Sequence, residues 1–386
     1  MSFVRIPALL VTCESEWLAP IRMPAALHRG GFDVTLLVPS GALAAHSRHV
    51  TRSRLLPENA SAQEWLFALI AAVEAVAPAI LLPGDEMSLR LMQALVCEPP
   101  PGPQPAAIKD LAALIVDSLG SPKFYRAGVD KTLLQPLMEQ AGVRVPGYRV
   151  VRSPEEAAEA ARALGPEVVV KPGGGTGGRD VIDCDTPQEA SAAFRYVLEA
   201  TGKDRTMGRE PSILIQRRID GLMVPRTSVA FRGKELAGFA RERLQTIAPH
   251  RGSTVVRYVH APELATFSRA AARALGITGF FTIEYCVERT TGQAYLIDLT
   301  RRMAPPTHTG NLVGVDLCAA LAAALQGEEV EPLDLPENSS RMMTLFPQEF
   351  WRDPKSAALR QYPSDVPWDD PPLWRELLMW RYEARG

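Results

Sequence analysis

Lys171 is followed within seven residues by five glycines, in the stretch VVVKPGGGTGG at 168–178. A fixed positive charge behind backbone N–H groups that no side chain shields is a combination that can hold phosphate. The order excludes a P-loop, in which the glycines come first and Gly-Lys-Ser/Thr opens a helix. It also departs from the dinucleotide fingerprint, whose glycines lead from a strand straight into a helix. After Gly178 the chain reads RDVIDCD, a second strand. The expectation is strand, glycine tip, strand, with Lys171 on the first strand. Taken alone, the tip serves equally as a phosphate cover or as a surface turn built on glycine's positive φ.

A second constellation is a pair of acids in GFFTIEYCVERTTGQAYLIDLTRR, residues 279–302. Two strand-like runs flank the turn signal Thr290-Thr291-Gly292-Gln293. With the period of two that strands impose, Glu284 shares a face with Thr282 and Cys286. Asp298 then shares a face with Thr300 and Arg302. A hairpin symmetric about Thr291 places Glu284 directly opposite Asp298, and a bulge would shift this by one position. Like charges facing each other across a ladder repel, and both runs are otherwise apolar. A divalent cation relieves that repulsion, because Mg²⁺ takes one or two carboxylates and completes its shell with water and phosphate. Arg302 can meet phosphate oxygens or a developing negative charge. The plainer reading is an exposed face carrying an Asp–Arg pair.

These groups need a frame. Residues 4–13 read as a strand, followed by a helical pattern at PIRMPAALHRGG, a strand at DVTLLVP, an amphipathic helix at 62–76 and a buried strand at AILLPGDE. Strands alternating with helices imply a parallel sheet covered on both faces. The proline run 99–105 is a connector. Residues 121–141 look helical in their second half. A strand and a helix follow, the helix capped by Ser153 with Glu156 three residues on. SILIQRRI at 212–219 reads as another strand.

The 386 residues suggest two or three domains, and 46% hydrophobic content suffices for their cores. Acids and bases nearly cancel, 44 against 42, so a basic nucleic-acid footprint is absent. No apolar run approaches the roughly 20 residues of a membrane helix. The N-terminal MSFVRIPALLVTCESEW reads as a buried strand rather than a signal peptide. Five scattered cysteines without a CxxC pair imply free thiols and a cytoplasmic location.

In chain order these pieces resemble the ATP-grasp superfamily, of the carboxylate-amine ligase type, over residues 120–325. The implied fold is α/β, with an α+β grasp. A Rossmann-like parallel-sheet domain would occupy 1–117, and a two-lobed ATP-grasp domain 118–330, with lobes at about 145–219 and 220–330. An extension would cover 331–386. By the resemblance, Lys131 reaches the α-phosphate and Lys171 the α/β-phosphates. Gly173, Gly174, Gly175, Thr176, Gly177 and Gly178 form the small lid over the triphosphate of ATP. Gln216, Arg217 and Ile219 form the adenine hinge, with Gln216 in place of the usual acid. Glu284 and Asp298 resemble the magnesium carboxylates. The usual Glu-x-Asn-x-Arg is here Asp298-Leu299-Thr300-Arg301-Arg302, so Thr300 stands for the asparagine as a ligand of Mg²⁺, for which Mn²⁺ is a substitute. No acid follows Gly221 to hold the ribose.

The resemblance implies activation of a small-molecule carboxylate as an acyl phosphate, with release of ADP and attack by an amine. Arg302 and Lys171 would stabilise the transferring phosphoryl group. Arg241, Arg243 and Arg251, placed near or in a flexible connection, are candidates for a substrate carboxylate. His308, just after the hairpin, is a candidate to line the pocket; as a general base it is the weaker reading, and a structural loop histidine is the stronger. No nucleic-acid or membrane partner is expected, and an oligomer is compatible with the sequence. The alternative is an ATP-binding protein of the same fold with lost or altered catalysis, motivated by Thr300 and the missing ribose acid.

Overall fold

The computed structural model describes residues 4–380, apart from 58, 100–101, 166, 176–179, 203–211 and 249–251. Its N-terminal part is a parallel sheet of β1 (Ile6–Val11), β2 (Phe32–Val38), β3 (Arg52–Leu55) and β4 (Ile80–Pro83), in the order β3-β2-β1-β4. The inner strands are apolar on both faces because helices cover both, as parallel sheets require. The helix Ala62–Val76 starts in a complete capping box between Ser61 and Glu64. β3 reads RSRL and is an exposed edge, so no hydrophobic pattern announces it.

The strand order reverses between β1 and β4, which makes their C-terminal ends a topological switch point. The buried Asp85 fills that crevice. It accepts from the Thr12 hydroxyl and from the N–H groups of Cys13 and Glu14, and its other oxygen caps the helix Glu86–Cys97 through the Ser88 N–H at 2.7 Å.

The middle of the chain forms an antiparallel sheet of β5 (Tyr148–Val151), β6 (Val168–Pro172), β7 (Ile182–Cys184) and β8 (Ile213–Arg217), in the order β5-β8-β6-β7. Alternation sorts its faces. Val168, Val170, Ile213 and Ile215 point into a core with the helices Pro154–Leu164 and Pro187–Gly202. Val169 and Lys171 on β6 lie opposite Gln216 and Leu214 on β8, so these four share the other face. Ser153 caps its helix by accepting from the Glu156 N–H, while the Glu156 carboxylate takes the N–H of Arg152 rather than that of Ser153.

The larger sheet contains β9 (Gly221–Met223), β10 (Arg226–Phe231), β11 (Lys234–Thr246), β12 (Ser253–Val259), β13 (Gly279–Glu288), β14 (Ala294–Thr300) and β15 (Ser340–Thr344). Its order is β14-β13-β10-β11-β12-β15, with β9 on β13. β15 comes from the C-terminal segment, so that segment contributes a strand to the sheet itself. Further on, Asp365 accepts from the Phe346 N–H and pairs with Arg22, and Asp370 accepts from Ser47 and the Arg48 N–H. One apolar cluster runs from Leu10 and Phe32 of the N-terminal sheet to Phe239, Tyr258 and Met343 of the large sheet. The β5–β8 unit has a separate core. Continuous packing thus makes the N-terminal and large sheets one body, while the small sheet rides beside them.

Among the described residues no single helix is long and apolar enough to cross a membrane. All five cysteines are free.

Candidate functional site

The glycine segment is rooted on three sides. The Gly173 N–H donates to the Ser212 carbonyl at 2.7 Å, and the Gly173 carbonyl accepts from the Lys131 N–H at 2.7 Å. A β-carbon at Gly173 would collide with Ser212 Oγ and Asp130 Oδ1, so only glycine permits this close approach. Asp130 caps the helix Lys131–Gln140 by accepting from the Thr132 N–H, which sets Lys131 at the first helical position. Lys131 Nζ then lies 3.3 Å from the Gly175 carbonyl and 3.3 Å from Asp298 Oδ2. Thr176, Gly177 and Gly178 lie outside the described residues.

Lys171 is 3% exposed. Burial pulls its ammonium down to about 8, against the opposing fields of Asp298 and Glu284, with Lys131 adding to the depression. The lysine is therefore held in a site that its surrounding carboxylates do not fully neutralise.

On the large sheet β13 and β14 pair with Glu284 opposite Asp298, and Thr282 opposite Thr300. A bulge lies on the turn side of this pair, between Glu284 and Tyr285. The repulsion expected between the acids is met within the protein: Lys131 pairs with Asp298, and Arg243 donates to Glu284. Among the described residues no group of three or more His, Cys, Asp or Glu side chains is placed to hold a metal. The two facing carboxylates with the Thr300 hydroxyl fit a cation that takes its remaining ligands from water and phosphate.

Gln216 is 1% exposed, and its Nε2 has no partner among the described residues. An unpaired buried amide costs about 1–3 kcal/mol, which a ligand donor or acceptor here would recover. The Arg217 N–H is taken by the Gly147 carbonyl at 2.8 Å, and its guanidinium by Glu288 at 3.0 Å, above the Tyr295 ring. The Ile219 carbonyl faces Cys286 Sγ at 3.6 Å.

Two sequence expectations need correction. Arg241 and Arg243 are not in a connection but on β11, facing Thr227 and Glu284. The strand runs 13 residues and carries the charged run Arg241-Glu242-Arg243. Arg241 is buried with one hydroxyl partner at 2.7 Å, its Nε is unpaired, and burial lowers it to about 10. Arg251 lies outside the described residues. Arg302 does not continue the β14 face. The strand ends at Thr300, and the chain bends so that Arg302 Nε meets Glu86 at 3.3 Å with its guanidinium over Trp17.

His308 sits as the structural alternative has it. It is buried, with Nε2 2.7 Å from Asp365 and Nδ1 2.9 Å from the Pro305 carbonyl. Burial depresses its pKa beyond what Asp365 restores. These partners pin the C-terminal segment to the body. His308→Ala is expected to lower unfolding stability by about 1–3 kcal/mol in urea titrations. A general base would instead show an activity loss of about 10²-fold or more at an unchanged midpoint.

No family model matches the chain. Over 234 residues it is 23% identical to the carbamoyl phosphate synthase large chain of Ralstonia nicotianae, and over 236 residues 26% identical to that of Thermus thermophilus. Each match covers 58% of this chain and 21% or 22% of the relative, so the chain spans about a fifth of the length of these curated relatives. Among solved structures, it superposes on the biotin carboxylase domain of Hydrogenobacter thermophilus 2-oxoglutarate carboxylase, determined with MgADP and bicarbonate. The TM-score is 0.65 at 17% identity, covering 86% of this chain and 72% of that one. It also superposes on an L-amino acid ligase from Bacillus licheniformis, with a TM-score of 0.60 at 18% identity over 88% and 80%.

Proposed function

We propose that the chain is a member of the ATP-grasp superfamily, as its likeness to the carbamoyl phosphate synthase large chains and its fold support, and that it is an ATP- and Mg²⁺-dependent ligase joining a small-molecule carboxylate to an amine through an acyl phosphate. The observation that carries this reading is the convergence of Lys131, Asp298, Glu284 and Lys171 at the root of the glycine segment. These groups come from the small sheet, the large sheet and the helix that precedes both.

In this reading Lys131 and Lys171 bind phosphate, and Gln216 offers its unpaired amide to adenine. Gly173 anchors the segment through its own backbone bonds, and Gly174 and Gly175 present backbone toward the triphosphate. Glu284, Asp298 and Thr300 would hold Mg²⁺, which when bound neutralises charge on the phosphates. Lys171 sits on a rigid strand, so its charge is placed before reaction begins and needs no reorganisation. Arg302 follows the acid hairpin directly in sequence but is held by Glu86, and Arg243, once freed from Glu284, is available to the acceptor carboxylate. Little covalent chemistry falls to the side chains, since positioning and charge neutralisation carry phosphoryl transfer. The acceptor and the amine are small molecules.

The test is ADP release from MgATP against pools of amino acids and small carboxylates. Pool-dependent ADP is expected. AMP in place of ADP would overturn the acyl-phosphate route. Absence of nucleotide binding would overturn the reading altogether.

A further inference from the structure

Arg90 belongs to the helix Glu86–Cys97 of the N-terminal sheet, far in sequence from Lys131, Lys171, Glu284 and Asp298. Yet its guanidinium reaches the glycine segment: a β-carbon at Gly174 would stand 3.7 Å from Arg90 Nη2. Gly174 is exposed, and its neighbour Gly175 carries the carbonyl that Lys131 meets. Arg90 therefore borders the same short stretch of backbone as Lys131.

A single carboxylate aims it. Glu86 Oε1 accepts from Arg90 Nε at 3.1 Å, one helical turn away, and Glu86 Oε2 accepts from Arg302 Nε at 3.3 Å. Arg302 is fixed in turn by its Met303 carbonyl contact and by the Trp17 ring. Two guanidiniums share one carboxylate, so the trio keeps a net positive charge. Engaging Arg90 through Nε leaves its outer nitrogens turned toward the glycine segment, the geometry in which a guanidinium grips phosphate oxygens.

We propose that Arg90 is a further phosphate-binding residue, supplied by the N-terminal domain to the outer phosphates of the nucleotide, with Glu86 as the positioning residue that couples it to Arg302. The proposal rests on the nucleotide reading given above. It accounts for an arginine set beside the exposed Gly174. It also gives the N-terminal sheet a direct part in nucleotide binding.

Isothermal titration of wild type, Arg90→Met, Arg90→Lys and Glu86→Gln with Mg²⁺ and ATP, and separately with AMP, tests it. Removing one charge-assisted bond to phosphate is expected to raise the Kd for ATP about tenfold or more, with the Kd for AMP unchanged. Arg90→Lys should recover part of the loss, and Glu86→Gln should fall between wild type and Arg90→Met. An ATP affinity of Arg90→Met equal to wild type overturns the proposal. So does an equal loss for ATP and AMP, which would mark a general structural effect. A wild type that binds neither nucleotide would sink the nucleotide reading itself, whereas wild-type binding with an indifferent Arg90→Met sinks this inference alone.

Discussion

Asp298→Asn is expected to reduce substrate-dependent ADP release by about 10³-fold, the scale of losing a charge that acts on the transition state. Two effects compound. The carboxylate facing Glu284 is lost as a cation ligand. Lys131 loses its partner at 3.3 Å, and Lys171 loses the foremost of the charges that oppose its desolvation. Glu284→Gln largely separates these effects, because Glu284 is paired with Arg243 rather than with Lys131 and its field on Lys171 is the smaller of the two. It should weaken the dependence on Mg²⁺ while leaving Mg²⁺-free nucleotide binding close to wild type. Asp298→Asn should perturb nucleotide binding even without the metal. Nucleotide titrations with Mg²⁺ and with EDTA distinguish the two variants. Wild-type turnover in Asp298→Asn would remove the acid hairpin from the proposed chemistry.

What the sequence revealed depended on how local the pattern was. Lys171 and Gln216 could be placed because period two is fixed within each strand, and their shared face follows from the β6–β8 register. The Glu284–Asp298 pairing is instructive. Next to the turn Cys286 pairs with Tyr295, a register that would set Glu284 opposite Ile297. The bulge absorbs one residue and brings Asp298 opposite instead, which is where symmetry about Thr291 had placed it.

What the sequence misplaced or left open involves contacts that no local pattern encodes. Arg302 was taken to continue its strand, but the chain turns to meet Glu86, 216 residues away. His308 meets Asp365, 57 residues on, in a segment whose composition says little about where it docks. The sequence places Arg241 and Arg243 near or in a flexible connection. They lie instead on an inner strand of the large sheet, flanked by β10 and β12. A buried arginine whose Nε is left unpaired is a costly arrangement, and such cost concentrates where ligands bind.

Lys171→Met should abolish ATP-dependent turnover, and the wild-type lysine should impose a pH dependence of its own. With its pKa near 8 in the nucleotide-free protein, the side chain is charged below that pH and becomes neutral above it. Phosphate favours the ammonium, so binding above pH 8 must take up a proton. The Kd for ATP should therefore rise with pH from about 8 upward, by at most about tenfold per unit for one proton. Folding stability should move the other way. In the unfolded chain the lysine titrates near 10.5, so between about 8 and 10.5 the unfolded state binds more protons. In that window Lys171 contributes stability that increases with pH. Lys171→Met should flatten both its share of the affinity slope and its share of the stability slope. It should also be more stable than wild type at pH 7, where burying the ammonium costs most. Calorimetric titrations and urea melts across pH 7–10 provide both slopes. A wild-type affinity independent of pH over this range would mean that Lys171 does not touch phosphate.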